Sequence, residues 1–124
     1  MGWMLLMLMA LPGVVAKRQD QPLPVSAWVG AWRGGDDSLI ITREGKGVRV
    51  VGTAVWHGWG DNTHEGAFDG AGPVGSRQIE LHDKDDSSCV LVLYRVGDEL
   101  WAEDPGQSSC GGVNVTFSGV YRRK

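Results

Sequence analysis

Two tryptophans, two histidines and an Asp-Asn pair fall within ten residues in Trp56-His57-Gly58-Trp59-Gly60-Asp61-Asn62-Thr63-His64-Glu65. Indoles beside a carboxylate and a carboxamide suit two kinds of contact. They can stack on the C–H face of a sugar while Asp61 and Asn62 bond its hydroxyls. They can also anchor a protein interface, where tryptophan is enriched among the residues that carry binding energy. Gly58 and Gly60 mark the stretch as a connection between strands, and connections are where binding groups are displayed. The candidate contact residues are therefore Trp56, His57, Trp59, Asp61, Asn62 and His64, joined by Trp101 from a later strand. The alternative is architectural: the two indoles plug the mouth of the fold and the polar residues make its turn.

Other chemistry is poorly served. His57, His64 and Glu65 lack a recognised ligand spacing and share one connection, so no metal is expected. The acidic run Asp83-Lys84-Asp85-Asp86-Ser87-Ser88 lacks the glycine and distal glutamate of a calcium loop and reads as a solvated turn. Ser38, Ser76, Ser87 and Ser88 stand outside any nucleophile-elbow motif. Glu103 and Asp104 are neighbours on a strand, point to opposite faces and cannot work as a pair. The expectation is a non-enzymatic protein with no cofactor.

Strands must position these groups, and the clearest lies at the end of the chain. Val113, Val115, Phe117, Gly119 and Tyr121 alternate with Asn114, Thr116, Ser118 and Arg122, which gives one dry and one wet face at a period of two. No segment after residue 16 sustains a helical period, and nineteen glycines punctuate short β-branched runs. Strands are expected over 28–33, 38–44, 48–57, 65–69, 76–82, 88–96, 99–104 and 113–122. Gly45-Lys46-Gly47 and Gly97-Asp98 supply hairpin turns. Eight antiparallel strands in chain order close into an all-β up-and-down barrel, which removes exposed edges; a β-sandwich is the alternative fold. Leu39, Ile41, Val48, Val50, Ala54, Ile79, Leu81, Leu91, Leu93, Leu100, Val113, Val115, Phe117 and Tyr121 form the inward set. Strands this short leave little lumen to fill.

The ends and the composition bound the compartment. Residues 1–16 are almost wholly apolar, carry Pro12-Gly13 near their end and small residues at Val14 and Ala16, and read as a secretory signal; Lys17-Arg18-Gln19-Asp20 follows. An extended segment over 17–27 then leads into a barrel domain over 28–124, so the mature chain of about 108 residues holds one core and no membrane span. The formal net charge is −3 with both signs interleaved, which leaves no basic stripe for nucleic acid. Cys89 and Cys110 are the only cysteines, and in an exported chain such a pair is a disulfide. In a meander both lie at the same end of the barrel.

Gly30-Ala31-Trp32, followed by Ser38, the Gly45–Gly47 turn and Gly52-Thr53, resembles the first three strands of avidin-like barrels, and its G-x-W is similar to the signature of lipocalins. The resemblance implies a calycin-type barrel. It does not extend to the biotin site, whose polar positions fall on Gly34, Ala54 and Trp56, with only Ser38 kept. It further implies that a last-strand arginine, Arg122, stacks over Trp32. The ending Cys110-Gly111-Gly112-x-Asn114-Val115-x-Phe117-x-Gly119-x-Tyr121 resembles the tails of exported bacterial envelope proteins, some associated with lysozyme-inhibitor-type domains. The expected function is that of a periplasmic or secreted binding protein or hydrolase inhibitor whose partner is a protein or carbohydrate of the cell envelope. The alternative is a structural or assembly component of the envelope with no small ligand.

Overall fold

Gly45 and Gly97 take φ of 57° and 61°, a region open to glycine because it has no Cβ to clash. Each opens a two-residue connection, with Glu44 opposite Gly47 across the first and Val96 opposite Glu99 across the second. These turns are the ones the sequence demands. The computed structural model describes residues 22–104, 110, 112 and 114–124. The expected signal segment and the first five residues, 17–21, of the extended segment after it lie outside the described residues.

The strands are β1 (Gly30–Gly34), β2 (Asp37–Glu44), β3 (Gly47–His57), β4 (Thr63–Gly72), β5 (Gln78–His82), β6 (Val90–Val96), β7 (Glu99–Glu103) and β8 (Gly119–Arg123). They form one antiparallel sheet in the order β4-β3-β2-β1-β8-β7-β6-β5. Trp32 on β1 stands opposite Arg123 on β8, so the sheet curls until β4 meets β5. At that seam Lys84 N donates to Asp69 O at 2.8 Å. Glycine lets the backbones touch there, because a Cβ on Gly70 would lie 2.5 Å from His82 O. The result is the expected eight-stranded up-and-down barrel, nearly closed, and the single continuous sheet excludes the sandwich.

Alternation fills the lumen. Every described member of the expected inward set is buried, and Trp28, Trp32, Phe68 and Ala102 join them; Val113 lies outside the described residues. The pole bearing the β2–β3, β4–β5 and β6–β7 connections is called lower here, and its opposite upper. A 3-10 turn, Val25–Ala27, closes the lower pole and sets Trp28 O to accept from Trp32 Nε1 at 2.9 Å. The Arg123 guanidinium lies 4.6 Å from the Trp32 ring centroid, with Arg95 at 5.3 Å. Arg123 Nη2 also donates to Ala27 O at 3.0 Å.

The cation over Trp32 was expected to be Arg122, and it is Arg123. Tyr121 points inward, so parity turns Arg122 outward, where it pairs with Glu99 at 2.5 Å, and brings the next residue back over the ring. The last strand is corrected as well: β8 begins at Gly119 and not near Val113. Asn114 at φ 68° and Gly119 at φ 152° break the extended run. Val115 and Phe117 keep their buried alternation but enter the upper mouth as a plug. The Phe117 ring meets Phe68 edge-on with centroids 6.2 Å apart, and Tyr121 Oη donates to Phe117 O at 2.8 Å. Asn114, expected within a strand, is exposed in a turn. The disulfide joins Cys89 to Cys110, both in upper-pole connections, as the meander requires. Among the described residues no helix is long and apolar enough to cross a membrane.

The parity correction has a measurable consequence. Arg123→Ala removes a cation–π contact and charged hydrogen bonds and should cost about 2 kcal/mol. Arg122→Ala breaks one exposed pair and should cost less than about 0.5 kcal/mol. Urea unfolding of the two variants checks the order, and equal losses would contradict it.

Candidate functional site

β3 outruns its neighbour. Pairing with β2 ends at Thr53 opposite Ser38, whereas pairing with β4 continues to His57 opposite Thr63. The last four residues of β3, about 13 Å at ~3.3 Å per residue, therefore rise from the upper rim with β4 as their partner. Two ties, one to the β1–β2 turn and one to the first residue of β2, brace this arm. Val55 N donates to Asp37 Oδ1 at 2.9 Å, and His57 Nε2 lies 2.7 Å from Asp36 Oδ2. Burial raises the Asp37 carboxyl above its ordinary 3.8, the Val55 amide opposes that shift, and nearby Asp36 adds to it.

The loop at the tip is held by its own backbone. Gly58 N donates to Asn62 O at 2.7 Å, Asn62 N donates to Trp59 O at 3.2 Å, and Gly60 supplies a φ of 64°. Trp56 continues the inward parity of Val50 and Ala54 and packs half-buried against the core. Its ring tilts 39° to His64 with centroids 5.1 Å apart and covers Gly58, where a Cβ would lie 2.5 Å from Trp56 Cη2. Trp59 is 96% exposed. The two indoles grouped together by the sequence thus differ in kind: Trp56 roofs the barrel mouth and Trp59 stands free at the tip. A shallow cavity of about 360 Å³ lies along the loop, lined by Trp56, His57, Gly58, Trp59 and Gly60. Asp61 and Asn62 are exposed beside it.

Trp101 does not join this surface. It stands on the outer wall of β7, four strands around the sheet from β3, 44% exposed, and its Nε1 donates to Glu99 Oε1 at 3.2 Å. Its sequence position on a later strand gave no information on distance around the barrel. Asp36 and Asp37, which brace the arm of the candidate site, are the residues that sequence inspection missed. Their signal was available, because hairpin register sets the β1–β2 turn beside Val55 once the Gly45–Lys46 turn is fixed. Among the described residues no group of three or more His, Cys, Asp or Glu side chains is arranged to hold a metal. Comparison with protein-family models, curated proteins and solved structures finds no match.

The contrast between the two indoles can be tested by substitution. Trp59→Ala should leave stability within about 0.5 kcal/mol of the parent, as for an exposed side chain. Trp56→Ala should cost about 1–3 kcal/mol, because half-buried contact is lost; thermal melts distinguish the two. Asp37 supplies a pH signature. Below the unfolded value both states carry its proton and it costs nothing; as pH rises through the raised folded value, the native state ionises at a penalty the unfolded chain does not bear. Asp37→Asn keeps an acceptor for Val55 N–H and should raise Tm at pH 7 but not at pH 3. A drop in Tm at pH 7 would contradict the assignment.

Proposed function

We propose that this chain is an exported, non-enzymatic binding protein that inserts its β3–β4 hairpin into a partner in the periplasm or outside the cell. The favoured partner is a hydrolase of the envelope, whose cleft the hairpin would occupy as an inhibitor does. One observation carries the reading: a braced arm holds Trp59 96% exposed above a barrel whose interior is full. Leaving an indole in water forgoes its burial, so a solvent-facing tryptophan on an ordered turn is economically explained by a surface that covers it on contact. Such a ring buries roughly 150–250 Å² on docking, about 4–6 kcal/mol at ~25 cal/mol per Å², from which the entropy of association must be subtracted.

Export is supported by the apolar first sixteen residues and by the Cys89–Cys110 disulfide, which persists in oxidising compartments. A protein partner is favoured over a saccharide because Trp59 projects from the tip, and a projecting tryptophan fits a concave protein site, where such residues act as anchors. A second reading, an assembly component of the envelope, draws on the wall, where Ile40, Val51, Trp101 and Val120 are each between 42% and 48% exposed.

Site-specific photo-crosslinking separates these readings. A benzophenone side chain placed at residue 59 should capture one dominant protein from the native envelope. One placed at residue 120 should not. Against the captured partner, Trp59→Ala should weaken binding about thirtyfold or more, the level of an interface hot spot, and addition of the parent protein should inhibit the partner if it is a hydrolase. Capture from residue 120 alone would overturn the hairpin reading in favour of the wall.

A further inference from the structure

Among the described residues, the most exposed large apolar side chain and a hollow that would accept it lie at opposite poles. Trp59 stands at the upper pole. At the lower pole a cavity of about 380 Å³ opens between the β2–β3 turn and the end of β4. Gly47, Val48, Ala71, Gly72 and Pro73 line it, with Lys46 and Glu44 at its edge. Gly47 and Gly72 leave room for it because they carry no side chain. The close approach is evident from Gly47, where a Cβ would sit 2.2 Å from Gly72 O.

Charge is sorted along the same axis. Among the described residues, the upper-pole connections 35–36, 58–62, 83–89 and 104–118 carry six aspartates against Lys84. The lower-pole connections 45–46, 73–77 and 97–98, together with the C-terminal residue, carry Lys46, Arg77 and Lys124 against Asp98. Beside the knob stand Asp61 and Glu65; at the hollow Lys46 is the cation, with Glu44 on the same rim. β3 spans the two poles, so Trp59 and the hollow of one molecule are separated by ten or more residues of extended chain, roughly 30 Å or more. They cannot meet within one molecule.

We propose that the β3–β4 hairpin of one copy docks into the lower-pole hollow of a second copy, with Trp59 seated against Ala71 and Pro73 and Asp61 facing Lys46. Knob and hollow occupy different surfaces, so the contact is heterologous and propagates as a head-to-tail row; it does not close as a two-fold dimer. A hairpin tip covers less than the ~1,200 Å² of a standard interface, so the contact is weak and exchanges rapidly. The opposed charges make it sensitive to salt. The proposal stands independently of the envelope partner, although the two occupants would compete for the same tip.

Sedimentation velocity from about 10 μM to 1 mM tests it. In 20 mM NaCl the weight-average sedimentation coefficient should climb with concentration without levelling off at a dimer, and 500 mM NaCl should suppress the rise about tenfold or more in concentration. Trp59→Ala lacks the knob and Ala71→Glu obstructs the hollow at an exposed position, so each alone should stay monomeric, with circular dichroism confirming the fold. Mixed, the two should form a one-to-one dimer and nothing larger, because one keeps the hollow and the other the knob. Lys46→Glu should abolish the association and Asp61→Lys in the same chain should restore it. A parent protein that is monomeric at 1 mM in low salt overturns the proposal. So does a mixture of the two variants that fails to pair, or association that survives both single changes. A hairpin that crosslinks an envelope protein but never another copy would leave the function standing and remove only this inference.

Discussion

A barrel of eight short strands encloses little more than the side chains its own alternation sends inward, and here those side chains occupy the interior from pole to pole. Trp28 and Trp32, pinned by the Arg123 cation, close the lower end. Val115 and Phe117 close the upper end beneath a connection joined to its neighbour by the Cys89–Cys110 disulfide. Each plug depends on the other wall. Phe117 lies on Gly52 so closely that a Cβ there would come within 2.9 Å of its ring, and Trp32 is held through the carbonyl of Trp28. The lumen therefore leaves little room for a ligand of the kind that barrels of larger bore hold, and the proposed binding function falls to the outside.

The unequal lengths of neighbouring strands turn that constraint into a feature. β3 has eleven residues and β2 eight, so the β3–β4 hairpin stands above the rim. An unsupported two-stranded ribbon is marginal in water. This one is braced by Asp36 of the adjoining turn, by Asp37 at the start of β2 and by Trp56, which reaches back to roof the mouth. The burial that makes Trp56 structural holds the loop steady, and a steady loop presents Trp59 with less ordering entropy left to lose on contact.

Much of this was legible in the residues. Period-two alternation identified the core because side-chain parity on a strand is a local property, and glycine marked the Gly45 and Gly97 turns because positive φ is a local demand. Parity also held the answer for Arg123. With Tyr121 inward, Arg122 had to face out, and the analogy to a stacked arginine obscured what counting along the strand already required. β4 was read as five residues where the structure has ten, because Gly70 and Gly72 serve close contact with the facing backbone and carry no β-branched signal. The plug at 115–118 mimicked a strand because burial alternates in both. Trp101 and Trp59 could not be separated by inspection, since position around a closed sheet is a tertiary fact. Asp36 and Asp37 looked like ordinary turn residues and act on a strand nearly twenty positions away.

The account stands on a sealed interior with the Trp59 indole held free at the tip of the hairpin. Biosynthetic incorporation of 5-fluorotryptophan, followed by the solvent isotope shift of each ¹⁹F resonance between H₂O and D₂O, reads that arrangement ring by ring. The resonance of Trp59 should show the full shift of a free indole, Trp56 and Trp101 intermediate shifts, and Trp28 and Trp32 none. A protected Trp59, or solvent reaching Trp28 and Trp32, would contradict it.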